Sequence, residues 1–160
     1  MTIRPARPTD VPLILAFIRE LGAYEKLAHE VVATEESLER TLFGPQPAAE
    51  VVIAELDCAP AGFALFFHNY STFLGSPGIY LEDLYVRPSV RSRGVGRALL
   101  AHLARLAVSR GCGRLEWAVL DWNERAIGFY RRLGARAMDD WTTYRLTGDA
   151  LTALGTDPER

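Results

Sequence analysis

The stretch Ile79-Tyr80-Leu81-Glu82-Asp83-Leu84-Tyr85-Val86 leads directly into Arg87-Pro88-Ser89-Val90-Arg91-Ser92-Arg93-Gly94-Val95-Gly96-Arg97-Ala98-Leu99-Leu100. Its first eight residues are rich in aliphatic and aromatic side chains and read as a strand. From Gly94 to Arg110 the apolar residues Val95, Leu99, Leu100, Leu103, Leu106 and Ala107 recur at helical spacing, and Gly111 and Gly113 end the run. Leu115 to Leu120 reads as a second strand. A strand, a helix and a strand in that order predict a parallel pair with a right-handed crossover.

Working outward, Thr2 to Ala6 reads as a short strand and Pro8-Thr9-Asp10 as a helix start, with Thr9 as N-cap and Pro12 in the first turn. Leu13, Ile14, Phe17, Ile18 and Leu21 follow at helical spacing, and Gly22 is expected to loosen the end. A second helix is expected from Thr34, with Glu35 and Glu36 where the helix dipole favours them, stopping near Phe43-Gly44-Pro45. Val51–Leu56 and Phe63–Tyr70 form a hairpin across the turn Asp57 to Gly62, and Thr72 to Gly78 is a loop. Beyond Leu120 come a helix from Asn123 to Leu133 closed by Gly134, a last strand Trp141–Leu146, and a final turn at Leu151–Leu154. The tail after Gly155 is expected to fray. The fold class is mixed α/β or α+β, with residues 1–155 as one domain and 156–160 as the tail.

Composition narrows the function. The chain has 160 residues, 49% of them hydrophobic, which suits one globular domain. No apolar stretch approaches the ~20 residues of a membrane span. The polar start Met1-Thr2-Ile3-Arg4-Pro5 carries no signal-peptide pattern. Two cysteines, Cys58 and Cys112, make no disulfide framework, so a reducing cytoplasm is expected. A net charge of −2 argues against a nucleic-acid binder. Yet Arg87, Arg91, Arg93 and Arg97 are clustered, which suits a small polyanion. His29, His68 and His102 form no metal-ligand spacing with either cysteine.

The cluster surrounds Arg91-Ser92-Arg93-Gly94-Val95-Gly96, between a strand and a helix. Two glycines separated by one residue let backbone approach a ligand closely. The amides beyond them sit at a helix N-terminus, which favours an anion. A dinucleotide fingerprint would need a third glycine, where Leu99 stands, and a Walker loop would need a lysine. The loop suits a pyrophosphate without matching either pattern.

Read with its flanks, this loop resembles the acetyl-CoA motif of the GNAT acetyltransferase superfamily, [R/Q]-x-x-G-x-[G/A], at Arg91, Gly94 and Gly96. The likeness extends to Tyr80–Val86 before the loop and to Trp122–Ala135 after it. It also reaches Ile3–Ala6, Ile18–Leu21 and Tyr24-Glu25 near the start. Together these are similar to the diamine (spermidine/spermine) acetyltransferase branch. The resemblance implies a GNAT fold with six to seven strands, about four helices, and parallel strands at 79–86 and 115–120 that splay apart. It implies a homodimer that uses acetyl-CoA as co-substrate, with no metal, and acetylates a small-molecule amine. Leu84, Tyr85 and Val86 would meet the pantetheine arm through their backbone. Ser92, Arg93, Gly94, Val95, Gly96 and Arg97 would cradle the pyrophosphate beside Arg91, and Asn123 would lie near the arm.

For chemistry the resemblance implies Glu82 as the base and Tyr130 as the acid, with Tyr24, Glu25, Glu82 and Asp83 around the amine. An alkylammonium near pKa ~10.4 leaves fewer than roughly one molecule in a thousand neutral at pH 7, so a base is useful. Proton transfer from a phenol near ~10 to a thiolate near ~8.5 is uphill by about 2 kcal/mol, within reach of a positioned acid. Helical spacing with Ile127 and Ala126 alone would make Tyr130 a core residue; the motif context assigns the acid role. Glu82 and Asp83 are adjacent in a strand, so opposite faces are expected, and a buried carboxylate there must be paired or functional. Two acidic positions expected of polyamine enzymes are missing: Tyr70 is followed by Ser71-Thr72-Phe73, and Asp139-Asp140 are displaced ahead of Trp141. A smaller amine, such as a diamine or lysine-like amino acid, becomes comparable to a polyamine. Two other readings are acetylation of a protein or peptide and a non-catalytic acyl-CoA sensor; Glu82 with Tyr130 weighs against the sensor.

Overall fold

The structure is a computed structural model and describes residues 1–157. The chain divides into two units, Met1–Leu120 and Asp121–Arg160. In the first, the elements are β1 (Thr2–Pro5), α1 (Val11–Tyr24), α2 (Glu35–Phe43), β2 (Glu50–Leu56), β3 (Ala59–Ser71), β4 (Ser76–Val86), α3 (Val95–Ser109) and β5 (Leu115–Trp117). The sheet order follows the sequence, β1-β2-β3-β4-β5. Every step is antiparallel except the last, where β5 runs parallel to β4. Connection length explains the difference. Tight turns join β2 to β3 and β3 to β4, whereas the return to β5 crosses through α3.

The β2–β3 turn is shorter than the sequence suggests. Asp57 and Cys58 carry φ of 54° and 62°, so two left-handed residues reverse the chain and β3 begins at Ala59. Likewise β4 starts at Ser76 rather than Ile79, while β5 stops at Trp117, short of Leu120.

The two faces of the sheet are covered separately. On one, Ile14, Phe17 and Leu21 of α1 and Leu38 and Leu42 of α2 pack against Val51, Phe63 and Tyr85. Phe17 stacks on Phe63 at 5.3 Å and meets Tyr85 at 6.1 Å. On the other face lies α3, with Val95, Leu99 and Leu103 fully buried. Each such side chain contributes on the order of 2 kcal/mol by leaving water.

Two expectations about α1 need correction. Asp10, not Thr9, is its N-cap residue, and Pro8–Asp10 forms a short 3-10 turn. The Asp10 carboxylate accepts from the Arg7 amide at 2.8 Å and pairs with Arg4 of β1 at 2.7 Å. Arg4 holds it below the ordinary carboxylate range. Gly22 does not loosen the helix, which runs on to Tyr24. A Cβ at Gly22 would lie 2.7 Å from the Val31 side chain, so the glycine serves close packing. The second helix follows its caps as predicted, with Thr34 and Ser37 exchanging hydrogen bonds at 3.1 and 3.0 Å.

In the second unit α4 (Glu124–Arg132) and α5 (Gly148–Thr156) are helical. Asn123 caps α4, its side-chain oxygen accepting from the Ala126 amide at 3.3 Å. Gly134 closes it with φ +87°. The predicted strand Trp141–Leu146 is not formed. The propensity of Trp141, Thr142, Thr143 and Tyr144 does not make a strand without a neighbour to complete the ladder, and Trp141 and Tyr144 are exposed. The end of the chain is more ordered than expected. Leu151–Leu154 belongs to a helix that includes Gly155 and Thr156, and the rest of the predicted tail, residues 158–160, lies outside the described residues. The described residues thus hold five strands rather than six to seven, and five α-helices rather than four. Among them no helix is long and apolar enough to cross a membrane.

Candidate active site

The site begins with an irregularity in β4. Opposite β3, Leu65 pairs with Asp83 but Phe66 pairs with Leu81, so Glu82 is an extra residue, a β-bulge. Its consequence follows from side-chain parity. Phe63 and Leu65 point to the α1 face, where both pack against the core. Their partners Tyr85 and Asp83 therefore face α1 as well. Before the bulge, Tyr80 pairs with Phe67 on that same parity, and their rings meet at 5.3 Å. Glu82, two residues on from Tyr80, is directed with it. Adjacent strand residues were expected on opposite faces; the bulge brings both carboxylates to one.

A third carboxylate joins them. Glu25, the C-cap of α1, lies close enough for its charge to act on Asp83. Burial pushes the Asp83 carboxyl up to about 6, and the charges of Glu82 and Glu25 add to the rise. Burial also raises Glu25. Tyr80 is raised as well, by burial and then by Glu82 and Glu116. Carboxylates gathered in this way are costly to the fold and well suited to receive a cation.

The bulge also marks where β4 loses a neighbour. Parallel pairing with β5 ends at Leu81 and Trp117. From Glu82 to Val86 the strand has β3 on one side and no described strand on the other. The Arg87 amide donates to the Ala61 carbonyl at 2.9 Å. Antiparallel alternation then turns the backbone groups of Tyr85 and Asp83 toward β3 and those of Leu84 and Val86 toward the open edge.

Arg91 ties the next segment to this edge. Its Nε donates to the Val86 carbonyl at 2.9 Å, and its guanidinium lies 4.5 Å over the Tyr24 ring and 5.8 Å from that of Tyr85. The chain then bends through Ser92 at φ +67° and Gly94 at φ +85° before α3 begins at Val95. A non-glycine residue in the left-handed region costs energy, and such strain concentrates at binding loops. No atom lies within 4 Å of where a Gly94 Cβ would sit, so the space before the loop is open. The first turn of α3 holds no acidic residue, although its dipole favours one. Arg97 stands there instead, with Arg93 just before the N-cap, both exposed. This local charge pattern suits a bound anion.

Arg93 is paired with Asp57 of the β2–β3 turn at 3.0 Å. Both groups are largely exposed, so the pair contributes little to stability. Asp57 had no sequence signal linking it to the loop; the turn brings it there. Arg91 thus meets Tyr24, Tyr85 and Val86, and Glu25, Glu82 and Asp83 form a second group. Asn123 and Tyr130 belong to the second unit, Asn123 as the cap of α4 and Tyr130 on that helix beside Phe129 at 5.4 Å.

The chain is similar to known proteins. The acetyltransferase (GNAT) family matches residues 18–135. An L-ornithine N5-acetyltransferase of Arabidopsis thaliana is 36% identical over 95% of this chain and 86% of its own length. A thialysine N-epsilon-acetyltransferase of Bos taurus is 39% identical over 95% of both. Among solved structures, an integron cassette protein from the mobile metagenome of V. cholerae superposes with a TM-score of 0.82 at 26% identity, covering 98% of each chain. By the family match and these relatives, the chain belongs to the GNAT acetyltransferase family.

Proposed function

We propose that this enzyme transfers acetyl from acetyl-CoA to the primary amine of a small basic molecule, a lysine-like amino acid or a diamine, in a ternary complex. Acetyl-CoA-dependent transfer to an amine accords with the family; the acceptor and the residue roles are the further step. The observation that carries the acceptor is the bulge at Glu82, which turns Glu82 and Asp83 to one face, where Glu25 acts on Asp83. Three carboxylates suit one or two ammonium groups. They are too few to line a groove for a long polycation. The relatives that act on ornithine and thialysine point the same way.

Bound acetyl-CoA would supply a thioester whose carbonyl the amine attacks. Arg91, Ser92, Arg93, Gly94, Val95, Gly96 and Arg97 would hold its phosphates, and the edge at Leu84, Tyr85 and Val86 its arm, with Asn123 nearby. The Leu84 amide, turned to the open edge, would polarise the carbonyl in the manner of an oxyanion-hole donor. Glu25 and Asp83 would receive the ammonium, and Glu82, the most exposed of the three, would take its proton directly or through water. The Asp83 carboxyl, near 6, is mostly ionised at pH 7 and so keeps the charge that would receive the ammonium. Tyr130 would return a proton to the leaving thiolate.

The reading takes residues 1–155 as one working domain, and a cytoplasmic homodimer with no metal and no nucleic-acid or membrane partner. The test is thiol release from acetyl-CoA with ornithine, lysine, short diamines, spermidine and a lysine-bearing peptide in parallel. Release with the amino acids or diamines is expected. Release only with the peptide would replace this reading with protein acetylation. Tight acetyl-CoA binding with no release would replace it with a sensor.

A further inference from the structure

We infer that Tyr24 is a positioning residue coupling the cofactor loop to the amine site, rather than a direct contact of the amine. The inference rests on the reading above and deepens it. Tyr24 is the last residue of α1, and its ring lies under the Arg91 guanidinium at 4.5 Å. Arg91 is held from a second direction by the Val86 carbonyl and borders the Tyr85 ring. The residue after Tyr24 is Glu25, whose amide still bonds to Leu21 and whose charge acts on Asp83. Lys26, at φ +63°, then turns the chain away. A short physical path therefore runs from the anion loop through Arg91 and Tyr24 to the carboxylate cluster.

A phosphate on the loop engages the outer nitrogens of Arg91, while its Nε stays on Val86. The flat guanidinium, so fixed, holds the Tyr24 ring and with it the end of α1 that carries Glu25. Cofactor and amine then stabilise one arrangement of the same side chains. Linkage makes the effect reciprocal: each ligand tightens the other by the same factor. Arg91 has only to be stacked for this, so the tyrosine ring matters more than its hydroxyl.

The experiment compares Tyr24→Leu with Tyr24→Phe. CoA affinity is measured by calorimetry with and without a saturating lysine-like amine, and kcat and KM for that amine by thiol release. Tyr24→Leu is expected to weaken CoA binding about three- to tenfold, as befits loss of a half-buried cation–π contact. It should raise the amine KM, leave kcat at saturation within about twofold, and shrink the mutual tightening. Tyr24→Phe should recover CoA affinity and the coupling to within about twofold of the natural protein. A rise in amine KM alone, with CoA affinity unchanged, would overturn the inference in favour of direct amine contact. Equal losses in the Leu and Phe variants would overturn it in favour of a hydroxyl role. Should Tyr24→Leu fail to fold, Arg91→Lys serves in its place. It keeps the charge but loses the flat stacking surface, and unchanged CoA affinity and coupling in that variant would contradict the inference. Absence of thiol release by the natural protein with every amine would instead count against the proposed function, while the CoA titrations would still report on the stacking.

Discussion

The Arg91–Gly96 loop and the Glu25–Glu82–Asp83 cluster flank Tyr85 and hold opposite charge by opposite means. The loop keeps its arginines near water, with Arg93 and Arg97 exposed and Arg91 spread over two rings. Its cost to the fold is local, in the left-handed backbone of Ser92. The cluster instead withdraws Asp83 from water beside two like charges, and its cost is electrostatic. A loop built this way suits a large anion held through many small contacts. A cluster built the second way suits a cation that relieves it. The difference predicts that damage to one should leave the other's ligand, bound alone, largely untouched, the shared Arg91–Tyr24 contact excepted.

The largest effect should come from the chemistry and spare both ends. Tyr130→Phe is expected to lower kcat by on the order of 100-fold, typical for loss of a general acid. CoA affinity should stay within about twofold by calorimetry. Normal turnover would remove Tyr130 as the acid. Next comes Arg91→Ala, expected to weaken CoA binding about ten- to hundredfold by loss of charge-assisted hydrogen bonds and loop support. Its kcat at saturating acetyl-CoA should fall far less. A variant that binds CoA normally would break the assignment of the loop.

The cluster is sharpened by pH. Below about 6 Asp83 becomes protonated and loses the charge that receives an ammonium. The acid limb of kcat/KM should therefore break near pH 6 and fall by up to about tenfold per pH unit. In Asp83→Asn that break should vanish. The smallest effect concerns stability. The folded carboxyl titrates above its unfolded value of 3.8, so the native state holds the proton more tightly. Stability from this group is present below pH 4 and is lost as pH rises from about 4 to 6. Asp83→Asn should then stabilise the ligand-free protein at pH 7 by about 1 to 2 kcal/mol in urea unfolding, and give no gain at pH 4. Destabilisation at pH 7 would show that Asp83 is structurally paired.

How much of this could be read in the sequence depended on how local the signal was. The loop was legible because glycine spacing, the missing lysine and the helix that follows are all neighbours in the chain. The parallel step from β4 to β5 was legible for the same reason. The bulge was not: alternation placed Glu82 and Asp83 on opposite faces, and only pairing with β3 reveals the extra residue. Trp141–Leu146 shows the reverse failure. Its residues favour a strand, but a strand also needs a partner, which propensity does not supply. The Arg91–Tyr24 stacking joins residues distant in sequence, and no spacing rule announces it.

The central claim, that the carboxylate cluster receives the amine while the loop holds the cofactor, is tested most directly in the double variant Glu82→Gln, Asp83→Asn. CoA dissociation constants and kcat/KM for a lysine-like amino acid are measured on the same preparation. The account predicts CoA affinity within about twofold of the natural protein and kcat/KM reduced at least about 100-fold, as removal of a base together with an ammonium contact implies. Retention of kcat/KM within a few-fold would contradict it.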